Sequence, residues 1–215
     1  MPRDASSHRL PPRSRQLTRR GDALWSISFP TLRGLGRLAY SLSIEMPHGL
    51  PAGPFVLAAN HFSHFDPVVV GAAIGRPIRF LAVDELFGVS PLLDWLLHTY
   101  GVIPVSRSRL PLGTLRTALD RLRAGEVVGV FPEGTRVRQW GDLPMKRGAA
   151  WLAIRAGVPL VPIAISGTDR AFGVDNRLRP GRITVVVGEP LDMAGHDATT
   201  LTSSWGTWVS EALGQ

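Results

Sequence analysis

An imidazole and a carboxylate separated by four residues, His61 and Asp66, stand where an apolar run ends and a helical pattern begins. The segment reads Asn60-His61-Phe62-Ser63-His64-Phe65-Asp66-Pro67. On one continuous helix the two side chains would point about 140° apart. Pro67 disfavours helical geometry at Asp66, so a loop must join them, and a loop can fold the carboxylate back onto the ring. Asp66 would then fix the tautomer and orientation of His61, leaving the other ring nitrogen to take a proton from an attacking hydroxyl. Asp66 can also serve as N-cap of the helix that follows, and the two roles are compatible. His64 suits a wall or surface position, because the spacing of His61, His64 and Asp66 resembles no closed metal site; no metal is expected.

The second such segment is Phe131-Pro132-Glu133-Gly134-Thr135-Arg136, again just past an apolar run. Gly134 lets backbone approach a ligand closely, Thr135 offers a hydroxyl, and Arg136 can grip a phosphate through two parallel hydrogen bonds. As a bare pattern the segment is also a good turn sequence. Gly101-Val102-Ile103-Pro104-Val105-Ser106-Arg107 brings another cation, Arg107, after another strand.

The elements that must carry these residues alternate. Strands are predicted over 54–59, 78–83, 102–105, 127–131, 159–165 and 183–188. Helices are predicted over 66–75, 91–100, 114–124 and 147–156, with Gly75, Gly125 and Gly157 as stops, followed by a C-terminal helix whose apolar face is Trp205, Trp208, Val209 and Leu213. Buried apolar strands separated by helices imply an α/β fold, a mostly parallel sheet flanked by helices on both faces. In such sheets ligands bind outside the carboxyl ends of the strands, where both segments fall.

Ahead of this core, residues 1–21 are rich in Arg, Pro and Ser and are expected to form a disordered basic tail. Residues 22–45 read as an amphipathic segment. Pro30 suits the first position of a helix, Leu32, Leu35, Leu38 and Leu42 recur at helical spacing, and Arg33 and Arg37 lie opposite. Trp25, Ile27 and Phe29 form a second apolar cluster. The segment could lie in a membrane interface or pack on the core. Residues 46–215 then form the remaining domain.

Composition limits the chemistry. The 215 residues are 44% hydrophobic and 19% charged, with formal charge +7 and a sequence pI of about 11.2, which favours anionic partners. Lys146 is the only lysine. Cysteine is absent, which removes disulfides, thiolate metal sites and cysteine nucleophiles. No apolar run reaches about 18 residues, and no secretory signal follows the basic start, so the protein is expected to stay where it is made. Nothing interleaves basic and aromatic residues as a nucleic-acid binder would, and no G-x-S-x-G elbow marks a serine hydrolase.

Taken in order, Asn60–Asp66, Gly101–Arg107, Phe131–Arg136 and Val158–Pro162 resemble the NHxxxxD, GxIxxxR, FPEGTR and VPxxP blocks of the glycerolipid acyltransferase family, typified by bacterial 1-acylglycerol-3-phosphate acyltransferases. Lys146 and Gly148 also match the stretch between the last two blocks, and the likeness runs from about residue 22 to 190. The resemblance implies direct acyl transfer from an acyl-CoA or acyl-ACP thioester to a lysophospholipid acceptor, with no cofactor and no covalent acyl-enzyme. On the matching positions His61 would be the base and Asp66 its partner, and Arg107, Glu133, Gly134, Thr135 and Arg136 would bind the acceptor. It also implies a peripheral enzyme on the cytoplasmic face of the cell membrane. One position departs: where relatives read roughly AKxELF, this chain has Val83 in place of the lysine thought to help stabilise the oxyanion. Backbone amides would then serve alone, or another cation such as Arg79 would substitute. The alternatives are a different lysolipid or glycolipid acceptor, or a non-catalytic lipid-binding module.

Overall fold

A computed structural model describes residues 12–106, 112–173 and 177–215, with side chains of the first helix from Gly21 onward. In chain order the elements are α1 (Pro12–Tyr40), β1 (Ser43–Glu45), β2 (Val56–Ala59), α2 (Asp66–Ile74), β3 (Ile78–Val83), a 3-10 turn (Asp84–Leu86) and α3 (Pro91–Thr99). They continue with β4 (Ile103–Val105), α4 (Leu112–Arg123), β5 (Val127–Val130), α5 (Gly148–Ala156), β6 (Leu160–Ser166), α6 (Thr168–Ala171), β7 (Thr184–Val187) and α7 (Ala198–Leu213).

The seven strands form one sheet in the order β1-β7-β6-β2-β5-β3-β4. All neighbours are parallel except β6 and β7. The expected α/β class and mostly parallel sheet are therefore what the chain adopts. Alternation along β2 shows how the core divides. Phe55, Leu57 and Ala59 face one layer with Trp25, Phe29 and Val70, while Val56 and Ala58 face the other with Leu122, Leu152 and Trp205, as successive side chains of a strand must.

Crossovers put the chemistry in one place. β5 lies between β2 and β3, with Ala58 of β2 paired to Val130 of β5, and the chain then crosses to the far side of β2 for β6. The chain leaves β2 toward His61 and leaves β5 toward Glu133, side by side at the strands' carboxyl ends.

Pro30 is a correction. It does not start a helix but lies inside α1. Proline in a helix interior forfeits one backbone hydrogen bond and crowds the preceding turn. Packing of the turns just before it offsets that cost: Trp25 and Phe29 stack at 3.8 Å and both rings meet Tyr100 edge-on. Phe29 sits over Gly71 of α2, where a methyl group would collide with its ring. The choice between core packing and an outward stripe also resolves, because α1 has two apolar faces. Trp25 and Phe29 are buried, whereas Ile27, Leu35 and Leu38 are 70%, 56% and 87% exposed. Residues 1–11 of the expected tail lie outside the described residues; from Pro12 the backbone is helical.

Candidate active site

The loop after β2 folds Asp66 onto His61 as its composition suggested. His61 Nδ1 and Asp66 Oδ2 are 2.8 Å apart. The same carboxylate oxygen accepts the backbone N–H groups of Phe62 and Ser63, each at 2.7 Å. Asp66 is fully buried, and the His61 side chain keeps 16% of its surface in solvent. With its hydrogen at Nδ1, directed at the carboxylate, the ring is left with Nε2 as an acceptor. Asp66 is not the N-cap, which corrects one expectation. Phe65 occupies the cap position, because the Asp66 carboxylate turns back into the loop, where Oδ2 holds all three contacts and Oδ1 is buried without a partner.

Two stacked phenyl rings back the imidazole plane. His61 stacks on Phe131 at 4.1 Å, and Phe131 on Phe80 of β3 at 5.6 Å. Asn60, one residue earlier, anchors the loop from below: its Nδ2 donates to Ile165 O at 2.9 Å and its Oδ1 accepts from Ile165 N at 2.7 Å.

The turn after β5 is tied to the same loop. His61 N–H donates to Glu133 Oε1 at 3.0 Å, and Val137 N–H donates to His61 O at 2.9 Å. Gly134 has φ +71°, a conformation that favours glycine. Its α-carbon lies beneath the side chain of Lys146, whose Nζ a methyl group there would meet. Thr135 is half-buried and Arg136 exposed. His64 is exposed, and its pKa is lowered by partial desolvation first and then by the charges of Arg136 and His61, with Asp66 opposing. Arg107 lies outside the described residues.

Glu133 is only 3% exposed, and its Oε2 has no partner. Burial pushes its carboxyl up to about 7, against the pull of the amides of Glu133 and His61, while Asp66 adds to the rise. A folded-state pKa above the unfolded value means that this group's stabilising share is full below pH 4.5 and is lost as pH rises to about 7. The loss amounts to about 3 kcal/mol. Glu133→Gln keeps an oxygen for His61 and cannot titrate. Denaturant unfolding at pH 4.5 and pH 8 will show a decline in wild type that is smaller in the variant by about this amount; parallel profiles would contradict this assignment.

Arg79 corrects a further expectation. It is 1% exposed and fully committed elsewhere: Nε donates to Glu126 at 2.6 Å, Nη2 to Asp22 at 2.6 Å and Nη1 to Tyr100 O at 3.1 Å. Each of its three nitrogens is held by a protein partner, and Glu126 lies just before β5, at the end of that strand opposite the Glu133 turn, so Arg79 cannot serve an oxyanion there. An open hollow of about 500 Å³ between residues 140–145 and α7 is lined by none of the residues above. Among the described residues no cluster of three His, Cys, Asp or Glu side chains could hold a metal. Sequence reading left Lys146 out of the site, although a single lysine among so many arginines was a signal. It also passed over Asn60 and Phe131 as supports of the ring.

A family model described as acyltransferase matches residues 41–166, a span containing both loops. The chain belongs to this acyltransferase family. It is 33% identical to a 1-acyl-sn-glycerol-3-phosphate acyltransferase of Bacillus subtilis over 147 residues, covering 67% of this chain and 71% of the relative. A chloroplastic 1-acyl-sn-glycerol-3-phosphate acyltransferase of Arabidopsis thaliana is 29% identical over 180 residues, 81% of this chain and 49% of its own length. The chain thus spans about half the length of that relative and of its Brassica napus counterpart. The crystal structure of an acyltransferase for 1-acyl-sn-glycerophosphate from Thermotoga maritima superposes with TM-score 0.71 at 24% identity, covering 93% of this chain and 84% of the other. That likeness supports the acyltransferase fold.

Proposed function

We propose that this chain transfers a fatty acyl group from a coenzyme A or acyl-carrier-protein thioester to the free hydroxyl of 1-acylglycerol-3-phosphate, giving phosphatidic acid. The observation that carries the reading is the 2.8 Å His61–Asp66 pair beside a turn bonded to His61's own amide. His61 Nε2 takes the acceptor's hydroxyl proton as its oxygen attacks the thioester carbonyl. The tetrahedral centre collapses, the C–S bond breaks, and the imidazolium returns the proton to the leaving thiolate. Ester and free thiol are the products, and the enzyme is unchanged. Asp66 offsets the charge that His61 carries between these steps. The Val83 side chain offers the oxyanion no donor and Arg79 is engaged, so oxyanion stabilisation falls to backbone amides. The relatives' names favour the phosphate-bearing acceptor.

The acceptor's home is a bilayer, and the outward stripe of α1 suits its cytoplasmic face. Among the described residues no helix is long and apolar enough to cross a membrane. Ile27, Leu35 and Leu38 instead fit a helix lying in the interface, flanked by Arg33 and Arg37. In α3 no residue is buried, and Leu92 and Trp95 are exposed, which extends the apolar surface. Each buried leucine contributes about 1.5–3 kcal/mol. The double substitution Leu35→Glu with Leu38→Glu is therefore expected to lower binding to anionic vesicles by more than about tenfold in a flotation assay, with acylation of a micellar acceptor retained. Unchanged partitioning would remove α1 from the interface.

The function itself is tested by supplying purified protein with lysophosphatidic acid and an acyl thioester, following free thiol and lipid mass together. Equimolar thiol and phosphatidic acid are expected. Thiol without acylated lipid would indicate a thioesterase, and no turnover across an acceptor panel a binding module.

A further inference from the structure

Two cations stand at the Glu133–Arg136 turn without a carboxylate to neutralise them. Several basic side chains elsewhere are paired: Arg79 with Glu126 and Asp22, Arg123 with Asp120, and Arg76 with the carbonyls of Pro51 and Gly53. Among the described residues, Lys146 and Arg136 make no ion pair. The acidic side chain of the turn does not screen them, because Glu133 points inward to the His61 amide and burial holds its carboxyl toward the neutral form.

Lys146 is also held in place. Its backbone N–H donates to Pro132 O at 2.8 Å, pinning it to the turn ten residues after the motif ends. From there its stem crosses Gly134 from Cδ to Nζ, in space that any side chain at 134 would occupy. Lys146 as a whole is exposed to solvent. Arg136 stands two residues further along the turn, and its charge reaches the catalytic loop strongly enough to be felt at His64. Two fixed positive charges at one turn match a ligand that is permanently and doubly negative, as a phosphate monoester nearly is at neutral pH. A neutral thioester carbonyl has no such charge to balance in its ground state.

We propose that Lys146 is a specificity-determining residue: its ammonium, laid over Gly134, grips the phosphate of the acceptor while the acceptor's hydroxyl meets His61. The assignment rests on the acyl-transfer reading above. Lysine serves here as a point charge on a flexible stem, and Arg136 supplies the planar fork.

The test compares the full-length wild type with Lys146→Met, Lys146→Arg and a control, Arg155→Met, which removes one exposed cation from α5. Acceptors are lysophosphatidic acid and the corresponding monoacylglycerol, presented at equal mole fraction in neutral detergent micelles. Lys146 is exposed, so unfolding midpoints should move little. In Lys146→Met the KM for lysophosphatidic acid is expected to rise about tenfold or more, from loss of one charge-assisted contact, with kcat within about threefold. Preference over monoacylglycerol should fall by the same factor. Lys146→Arg should recover most of it, and Arg155→Met should resemble wild type. A fall in kcat shared by both acceptors would place the ammonium at the reacting carbonyl and overturn the proposal, as would unchanged kinetics or an equal effect of Arg155→Met. If wild type acylates neither lipid, the acyl-transfer reading fails. Equilibrium binding then still decides the phosphate grip: Lys146→Met should lose discrimination between the two lipids, and retained discrimination overturns it.

Discussion

His61→Ala is expected to lower acylation of lysophosphatidic acid by about a thousandfold, with the unfolding midpoint almost unchanged. General-base catalysis contributes typically about 10²–10⁴-fold, and no second base within the described loop could replace the ring. His64 is nearest in sequence, but Asp66 Oδ2 bonds His61 and the amides of Phe62 and Ser63 instead. Stability survives for the same reason. After truncation the buried Asp66 retains both amides and is not left bare. Asp66→Asn probes the complementary half, because an amide can reverse the ring's tautomer, and its rate should fall nearly as far. If His61→Ala kept more than about a tenth of the wild-type rate, well outside the usual range for a lost base, His61 would not be the base.

The opposite signature is expected for Arg79→Met: a large loss of stability with an unchanged rate per folded molecule. Removing one partner of a buried ion pair costs about 3–5 kcal/mol, because the other charge stays buried. Here Glu126 would keep only the longer contact from Arg121 at 3.4 Å, whereas Asp22, 43% exposed, can turn to water. A loss of about 3 kcal/mol corresponds to roughly 6–12 °C in Tm for a chain of this size. Glu126→Gln in the same background should recover part of it. Were Arg79 the oxyanion's cation, the rate would fall instead and the midpoint would hold, so calorimetry and kinetics on one variant separate the two roles.

These two cases show what the sequence could and could not disclose. The histidine–aspartate pair was readable because Pro67 marks the start of a helix and leaves, before it, a loop whose length suits the contact. Elements bounded by Asp66-Pro67, Gly75 and Gly157 were readable because each boundary has local chemistry; α2 and α5 end at those glycines in left-handed conformation. The four ordered motifs sufficed for the family. Arg79 was misread because its partners lie 47 and 57 residues away, and no local pattern encodes that. α1 was cut at Pro30 because the Phe29–Gly71 contact that holds it together is tertiary. β1 has three residues, Ser43, Ile44 and Glu45, too few for a period, and exists only because β7 offers an open parallel edge. Lys146 entered the site through a bend in the chain rather than through its spacing from Glu133.

Asn60 has a consequence for how a crevice can open without fraying a sheet. A carboxamide carries one donor and one acceptor in nearly the arrangement of a main-chain peptide group, so β6 meets a surrogate neighbour at Ile165 after β2 has already departed. The seam between the two strands is closed by a side chain, which frees the backbone to swing outward and present the imidazole. Aspartate has the same outline but no hydrogen to give. Spontaneous deamidation at this one position would therefore unzip the seam and add a negative charge beside the ring, a form of chemical ageing that strikes shape and reactivity together.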